Sequence, residues 1–152
     1  MSRGARIIVI ALGVLAFLAV SALLARALTA TGTERAAVLE LLRAQARGEA
    51  AAVLADVPAC AAEPACASAT RERTARLRRP GEVRLLRFEP SVGLTLTRQS
   101  GPARVAWAAG GGRPVVQCVR VRREGPLTGG GVELLAISAP IGGEASCSRR
   151  PS

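Results

Sequence analysis

Histidine, lysine, asparagine and tyrosine are absent from this chain of 152 residues, and aspartate occurs once, as Asp56. Histidine is the usual general acid or base near neutral pH, and histidine or lysine usually activates a nucleophilic serine. The P-loop and G-x-S-x-G motifs are also absent. Zinc sites commonly use histidine, and no cluster of carboxylates in the sequence replaces it. We therefore expect no enzyme, with no catalytic residue, no cofactor-binding residue and no metal ligand.

Aromatic residues are scarce as well, and all 21 basic residues are arginine. This bias is typical of a GC-rich bacterial genome, because lysine, asparagine and tyrosine have AT-rich codons. The aromatic side chains are Phe17, Phe88 and Trp107. Sites for single-stranded nucleic acid rely on aromatic stacking platforms. We therefore expect no nucleic-acid partner.

The chain is organised around an apolar run, Ile7–Ala25, which holds nineteen residues without a charge between Arg6 and Arg26. As a helix it would span ~28 Å, close to the hydrocarbon thickness of a bilayer. It is longer than the apolar core of most signal peptides, although Ala25-Arg26-Ala27 matches a cleavage site. The length favours an uncleaved membrane anchor. A secreted protein, cleaved near Ala27, is the alternative.

The charges and the cysteines predict the orientation of this anchor. Arg3 and Arg6 precede the run and favour a cytoplasmic N-terminus. All four cysteines follow the run, where export would bring them into an oxidising compartment. We therefore expect a single-pass protein of the cell membrane, with a cytoplasmic head (1–6), a transmembrane anchor (7–28) and an extracytoplasmic domain (29–152).

The segment after the anchor is basic. It carries 18 of the arginines and all 11 acidic residues, which gives a net charge of +7. Such a domain is attracted to anionic headgroups or anionic polymers. Arg71, Arg76 and Arg79, on a predicted helix, are the candidate headgroup-binding residues. A solvated helix face is the other interpretation of these arginines.

The cysteines predict two disulfides. Cys60 and Cys66 lie six positions apart across a proline-containing turn, which favours a local bond. Cys118 lies in a predicted strand and Cys147 lies in the tail, so a bond between them would hold the tail on the sheet. The sequence alone leaves three connectivities open.

Three helical segments are predicted before the strands. The pattern Thr31-Gly32-Thr33-Glu34 fits a capping box, and Gly48 is a natural stop for the helix that would follow. The segments Glu49–Val57 and Pro64–Arg79 are typical of a second and a third helix. The first of the three has a buried face at helical spacing that comprises Val38, Leu41, Leu42 and Gln45.

From Glu82 onward the apolar period changes to two, which indicates half-buried strands. We expect a turn at Gln99–Pro102 and a strand over Val115–Arg123, in which Gln117 lies on the same face as the apolar valines. The remaining strands lie around Val83–Phe88, Val92–Thr97, Val105–Ala109 and Val132–Pro140. The predicted fold class is α+β, with two or three helices packed on a curved antiparallel sheet of four to five strands.

The segment Arg47-Gly48-Glu49-Ala50, followed by Ala52-Val53-Leu54, resembles the helix, Gly-Asp turn and short helix at the start of NTF2-like, or cystatin-like, domains. The resemblance covers residues 34–57. It implies helices on one face of a curved sheet, a possible homodimer through the open sheet face, and in some members a membrane-tethered role in secretion or conjugation machines. Enzymes of this superfamily place acids, histidine or tyrosine in the mouth of the fold, and two of these residue types are missing here.

The function expected from the sequence is therefore an extracytoplasmic interaction or ligand-binding module, anchored in the membrane through Ile7–Ala25. The partner would be a protein or a second copy, bound on the sheet face that carries Trp107. The alternatives are an NTF2-like enzyme and a carrier of a small apolar ligand.

Overall fold

The computed structural model describes residues 3–93, 97–125, 127 and 130–147. In chain order its helices are α1 (Arg3–Arg47), α2 (Ala50–Asp56), α3 (Pro58–Ala61) and α4 (Pro64–Arg76). Its strands are β1 (Val83–Glu89), β2 (Gln99–Ala109), β3 (Val115–Arg123) and β4 (Val132–Ile137). Helices precede strands, so the α+β class predicted from the sequence is confirmed.

The first helix is continuous over 45 residues, from Arg3 to Arg47, which corresponds to ~67 Å. The capping box predicted at Thr31 is wrong, because Thr31 lies inside α1. Glu34 is fully buried and accepts hydrogen bonds from the backbone N–H of Ser91 (2.8 Å) and from its hydroxyl (3.1 Å). The apolar segment and the core of the domain therefore belong to one helix.

The C-terminal end of α1 has the geometry expected at Gly48. This glycine has a φ of 81°, a left-handed conformation that is strained for other residues. The N–H of Glu49 donates to the carbonyl of Ala44, and the N–H of Gly48 donates to that of Gln45, both at 3.0 Å. These two bonds form a Schellman motif, which satisfies carbonyls that the helix end leaves free.

Within the described residues, one helix is long and apolar enough to cross a membrane: α1, over Gly4–Arg47. None of its most apolar stretch is buried in the structure. A helix of this kind at the N-terminus is either a membrane span or a signal sequence.

The core lies between the helices and one face of the sheet. The part of α1 beyond Glu34 packs there together with α2 and α4. Apolar side chains with no exposed surface include Val38, Leu41, Leu42, Val53, Val57, Val105, Trp107, Val119 and Val121. The buried face predicted for the first helix is confirmed. We call this covered side of the sheet the inner face and the other side the outer face.

The sheet is an antiparallel meander in the order β1-β2-β3-β4. The turn predicted at Gln99–Pro102 is wrong, because these residues begin β2 and pair with β3. β1 ends at Glu89, opposite Arg104, so a proline at 102 removes no hydrogen bond from the β1–β2 ladder. Gly101 lets the start of β2 pass close to the backbone of Ser91, because a Cβ on Gly101 would lie 2.4 Å from the carbonyl oxygen of Ser91.

The connection from β1 to β2 replaces a predicted strand. Residues 91–93 form a bend, and the rest of the strand expected over Val92–Thr97 falls mainly on residues 94–96, outside the described residues. The described sheet has four strands, within the predicted range of four to five. Its last strand ends at Ile137, three residues before the predicted Pro140.

Candidate functional site

The structure places Trp107 in the core. Its side chain has no exposed surface, and its indole Nε1–H donates to the Oε1 of Gln117 at 2.8 Å. The inner face, which carries this tryptophan, packs on the helices. Trp107 therefore stabilises the fold from within, and a partner that docks on the sheet meets the outer face.

Gln117 is the centre of a buried polar network. Its Oε1 also accepts from the Nε2 of Gln45 at 2.9 Å, and its own Nε2 donates to the carbonyl of Ser138 at 2.9 Å. Both glutamines are fully buried. Such groups stabilise a core only when their hydrogen bonds are made. The network joins α1, β2, β3 and the segment after β4.

A second buried polar group ties α1 to the other end of the sheet. Arg123 and Glu34 are 3% and 0% exposed, and their Nη1 and Oε2 atoms lie 3.5 Å apart. The same Nη1 donates to the carbonyl of Val92 at 2.9 Å. The Nη2 of Arg123 reaches the hydroxyl of Thr31 at 3.5 Å. Sequence patterns place Glu34 at a helix start, so this ion pair was not predicted.

The three candidate headgroup-binding arginines have different surroundings, and α4 ends at Arg76, three residues before the end predicted at Arg79. Arg71 is exposed, and Arg76 pairs with Glu72. The Nη1 of Arg79 donates to the carbonyl of Arg113 at 2.6 Å, and its backbone N–H donates to the carbonyl of Ala46 at 2.8 Å.

This contact fixes the position of Arg79 along α1. Ala46 lies twenty residues after Arg26, or ~30 Å along the helix. Arg79 therefore lies at the end of the domain farthest from the apolar segment. Headgroup binding by Arg79 would require a membrane surface at that far end.

Both disulfides predicted from the sequence are present, Cys60–Cys66 and Cys118–Cys147. The second one holds residues 141–147, which we call the strap, against the outer face. At the other end of the strap, the N–H of Ile141 donates to the carbonyl of Val116 at 2.8 Å. Disulfides of this kind indicate an oxidising, extracytoplasmic compartment.

A groove of about 570 Å³ lies between the strap and the outer face. Its floor is formed by β2 and by the neighbouring parts of β1 and β3. The lining residues from the sheet side are Arg87, Glu89, Pro90, Pro102, Arg104, Ala106 and Val116, and those from the strap are residues 143–147. The groove is the candidate functional site.

Arg104 fixes the strap over the groove. It lies opposite Cys118 in the β2–β3 register. Its Nε donates to the carbonyl of Ala145 at 3.0 Å, its Nη2 donates to that of Gly143, and its Nη1 lies 3.4 Å from the Oε1 of Glu89. Its side chain is 15% exposed, because these contacts surround the guanidinium group. Arg104 is thus a structural residue of the groove.

Arg87 is the accessible cation of the groove wall. Its side chain is 70% exposed and its Nε lies 2.8 Å from the Oε1 of Glu89. An ion pair exposed to this degree contributes little stability and exchanges readily with other partners. Arg84 lies on the same face of β1, opposite Ala108, and is also exposed. The two side chains give this edge of the outer face arginine groups that a partner can reach.

The described part of the chain contains no cluster of metal-ligating side chains. No group of three or more His, Cys, Asp or Glu side chains there could hold a metal ion. Asp56 ends α2 and is exposed, far in sequence from the groove residues. Burial of part of its carboxyl group raises its pKa, and the negative charge of Glu40 raises it further.

This raised pKa predicts the effect of Asp56→Asn. The folded protein holds the proton of Asp56 more tightly than the unfolded chain does. The free energy of unfolding therefore falls as the pH rises from the unfolded pKa of this group to its folded pKa. We expect the variant to gain a small free energy of unfolding at neutral pH, and to lose this gain below the unfolded aspartate pKa of about 3.9. Denaturant titrations across pH, with exposed Glu82→Gln as control, test this. A loss of stability at neutral pH in the aspartate variant would contradict it.

No family model, no curated protein and no solved structure matches this chain. The NTF2-like resemblance of residues 34–57 therefore stays a hypothesis.

Proposed function

We propose that the protein is a single-pass, membrane-anchored binding module that holds an acidic segment of a partner polypeptide in the groove between the strap and the outer face. The observation that carries the proposal is the outer face itself. Helices cover the inner face, whereas on the outer face the strap leaves an open groove with an accessible arginine at its wall.

The construction of the groove supports a binding role. Arg104 and the Cys118–Cys147 disulfide hold the strap in place. A wall that is fixed before the partner arrives reduces the entropy lost on binding. Exposed residues of the strap and the β1 side of the sheet border the same space, so an extended peptide segment fits between them.

The net positive charge of the domain favours an acidic partner. The segment after the apolar run has a net charge of +7, so two copies repel each other, whereas an acidic polypeptide is attracted. This disfavours the homodimer through the sheet face that the NTF2-like resemblance implies. An apolar ligand is also disfavoured, because Arg87, Glu89 and Glu144 line the groove.

A purely binding role is further supported by the residues available. The chain has no histidine, lysine or tyrosine, and Arg87, Arg104 and Glu89 of the groove are engaged in ion pairs or in holding the strap. The two disulfides support a location of the groove outside the cytoplasm, and so does the apolar α1 segment, whose positive N-terminal flank favours a cytoplasmic start.

Site-specific photocrosslinking in cells tests the proposal. A benzophenone amino acid at Leu86, beside the groove on β1, is compared with the same residue at Arg71 on the helix layer. Both positions are exposed. We expect an adduct from position 86 whose crosslinked peptide is acidic, and no such adduct from position 71.

Charge reversal then connects the adduct to the groove. Arg87→Glu should strongly reduce the adduct from position 86, because the new glutamate repels the acidic segment of the partner. Arg71→Glu should leave this adduct unchanged. A second copy as the crosslinked species would contradict the proposal, and so would equal adducts from positions 86 and 71 or no adduct at all.

A further inference from the structure

We propose that the tip of the β3–β4 hairpin, at Leu127, inserts into the headgroup layer of the membrane that α1 crosses. The inference rests on the anchoring of α1 in the proposed function and adds a second contact with the same membrane. It would fix the orientation of the groove relative to the bilayer surface.

The relative direction of α1 and β3 is the first step. Gln117 of β3 contacts Gln45, and Arg123 of β3 contacts both Thr31 and Glu34. Gln45 lies eleven to fourteen residues after Glu34 and Thr31 on the helix, and Gln117 lies six residues before Arg123 on the strand, which correspond to ~16–21 Å and ~20 Å. These similar distances indicate that β3 runs alongside α1 and descends towards the apolar segment.

The height of the hairpin tip follows from this direction. Thr31 lies six residues after Ala25, the end of the uncharged run, and thus ~9 Å beyond it. The hairpin continues past Arg123, because the N–H of Glu124 donates to the carbonyl of Gly131 (2.8 Å) and that of Gly130 to Gly125 (3.1 Å). At the rise of an extended chain, two more residues cover ~7 Å. Leu127, beyond Gly125, is therefore level with the end of the apolar run.

Leu127 is a large apolar side chain that is mostly exposed to solvent. Outside the apolar run, two large apolar side chains are strongly exposed among the described residues, Leu86 at 53% and Leu127 at 63%. A single exposed leucine is ordinary on a protein surface. Leu127 differs because its position coincides with the interface of the bilayer, where an apolar side chain at a loop tip is stabilised.

The base of the hairpin is joined to the helix by a buried contact. The buried pair of Arg123 and Glu34 fixes the base of the hairpin to α1. The helix is continuous from the apolar run to this pair, so the domain has no flexible linker through which it could turn away from the membrane.

Tryptophan quenching by brominated lipid tests the inference on the full chain. The protein is reconstituted in phosphatidylcholine–phosphatidylglycerol vesicles, with or without bromine near the top of the acyl chains. The native Trp107 is buried and its β3 partner, Val115, lies eight residues from Arg123, or ~26 Å farther from the membrane. It therefore supplies an unquenched background.

Three single variants are compared. Phe17→Trp, in the middle of the apolar run, reports on the anchor. Leu127→Trp reports on the hairpin tip. Leu86→Trp is the matched control, because it replaces the other exposed leucine at the level of the upper sheet. We expect brominated lipid to remove the added emission of Phe17→Trp and Leu127→Trp, and to leave that of Leu86→Trp intact.

The outcomes separate the two proposals. Quenching at Phe17→Trp without quenching at Leu127→Trp overturns the docking of the hairpin and leaves the anchor standing. No quenching at Phe17→Trp overturns the anchor and the docking with it. Quenching at Leu86→Trp as well as Leu127→Trp means that the domain lies on its side, and this also overturns the inference.

Discussion

Arg123→Met is expected to lower the free energy of unfolding by about 3–5 kcal/mol, because removal of one partner leaves the other charge buried without compensation. Glu34 would remain with no exposed surface and with Ser91 as its hydrogen-bond donor. The measurement is a denaturant titration of the full chain in micelles, followed by the emission of Trp107. This residue is the one tryptophan of the chain and reports directly on the core.

Two controls distinguish this effect from a general loss of arginine. Arg122→Met removes the neighbouring residue on β3, whose pair with Glu133 is exposed on both sides, and should cost at most about 1 kcal/mol. Addition of Glu34→Gln to Arg123→Met should recover much of the loss, since no buried charge remains. Equal effects of the two arginine variants, or additive losses in the double variant, would contradict the role of the buried pair.

Gln117→Leu is the second variant with a large expected effect. The leucine has a similar size, but the indole N–H of Trp107 and the amide of Gln45 lose their common acceptor. Each buried polar group without a partner costs ~1–3 kcal/mol, so we expect a loss of about 2–6 kcal/mol in the free energy of unfolding. The emission of Trp107 in the same titration measures it, and its spectrum should change because the indole hydrogen bond is absent.

Gln45→Leu is the matched control. The residue type, the substitution and the burial are the same, but Gln117 keeps its bonds to Trp107 and to the carbonyl of Ser138. The expected loss is about 1 kcal/mol, the net value of one hydrogen bond. If the two leucine variants were equally destabilised, the network would not be centred on Gln117.

The two surfaces proposed for function have a common structural basis. α1 carries the apolar run, and the pair of Glu34 and Arg123 fixes the sheet to that helix. In the proposed arrangement the β3–β4 tip meets the membrane surface, while the groove lies on the outer face beside β1. A partner that binds in the groove is thereby held at a defined height above the bilayer.

Local signals in the sequence were sufficient for much of the architecture. The apolar run, the stop at Gly48 and the start of α4 at Pro64 each depend on a few neighbouring residues, and the structure agrees with all three. The change to a period of two after Glu82 predicted the antiparallel meander for the same reason. The pairing of Cys60 with Cys66 was also local, whereas that of Cys118 with Cys147 required the tail to fold back.

Contacts between distant residues decided what the local patterns left open. Thr31 to Glu34 has the form of a capping box, but burial of Glu34 against Arg123 makes the same carboxylate part of an ion pair inside a continuous helix. Gln45 and Gln117 lie on predicted apolar faces, yet only the packing of α1 on β3 makes them partners.

The sequence by itself determined that the chain has an apolar helical segment, a basic domain of helices followed by strands, and residues poorly suited to acid–base chemistry. Alternation along a strand defines two faces but does not say which one the helices cover. Only the tertiary structure decided that Trp107 lies on the covered face and that the strap and Arg104 enclose a groove on the other. The physical reason is that burial is a property of the packed layers, which residues far apart in the sequence create together.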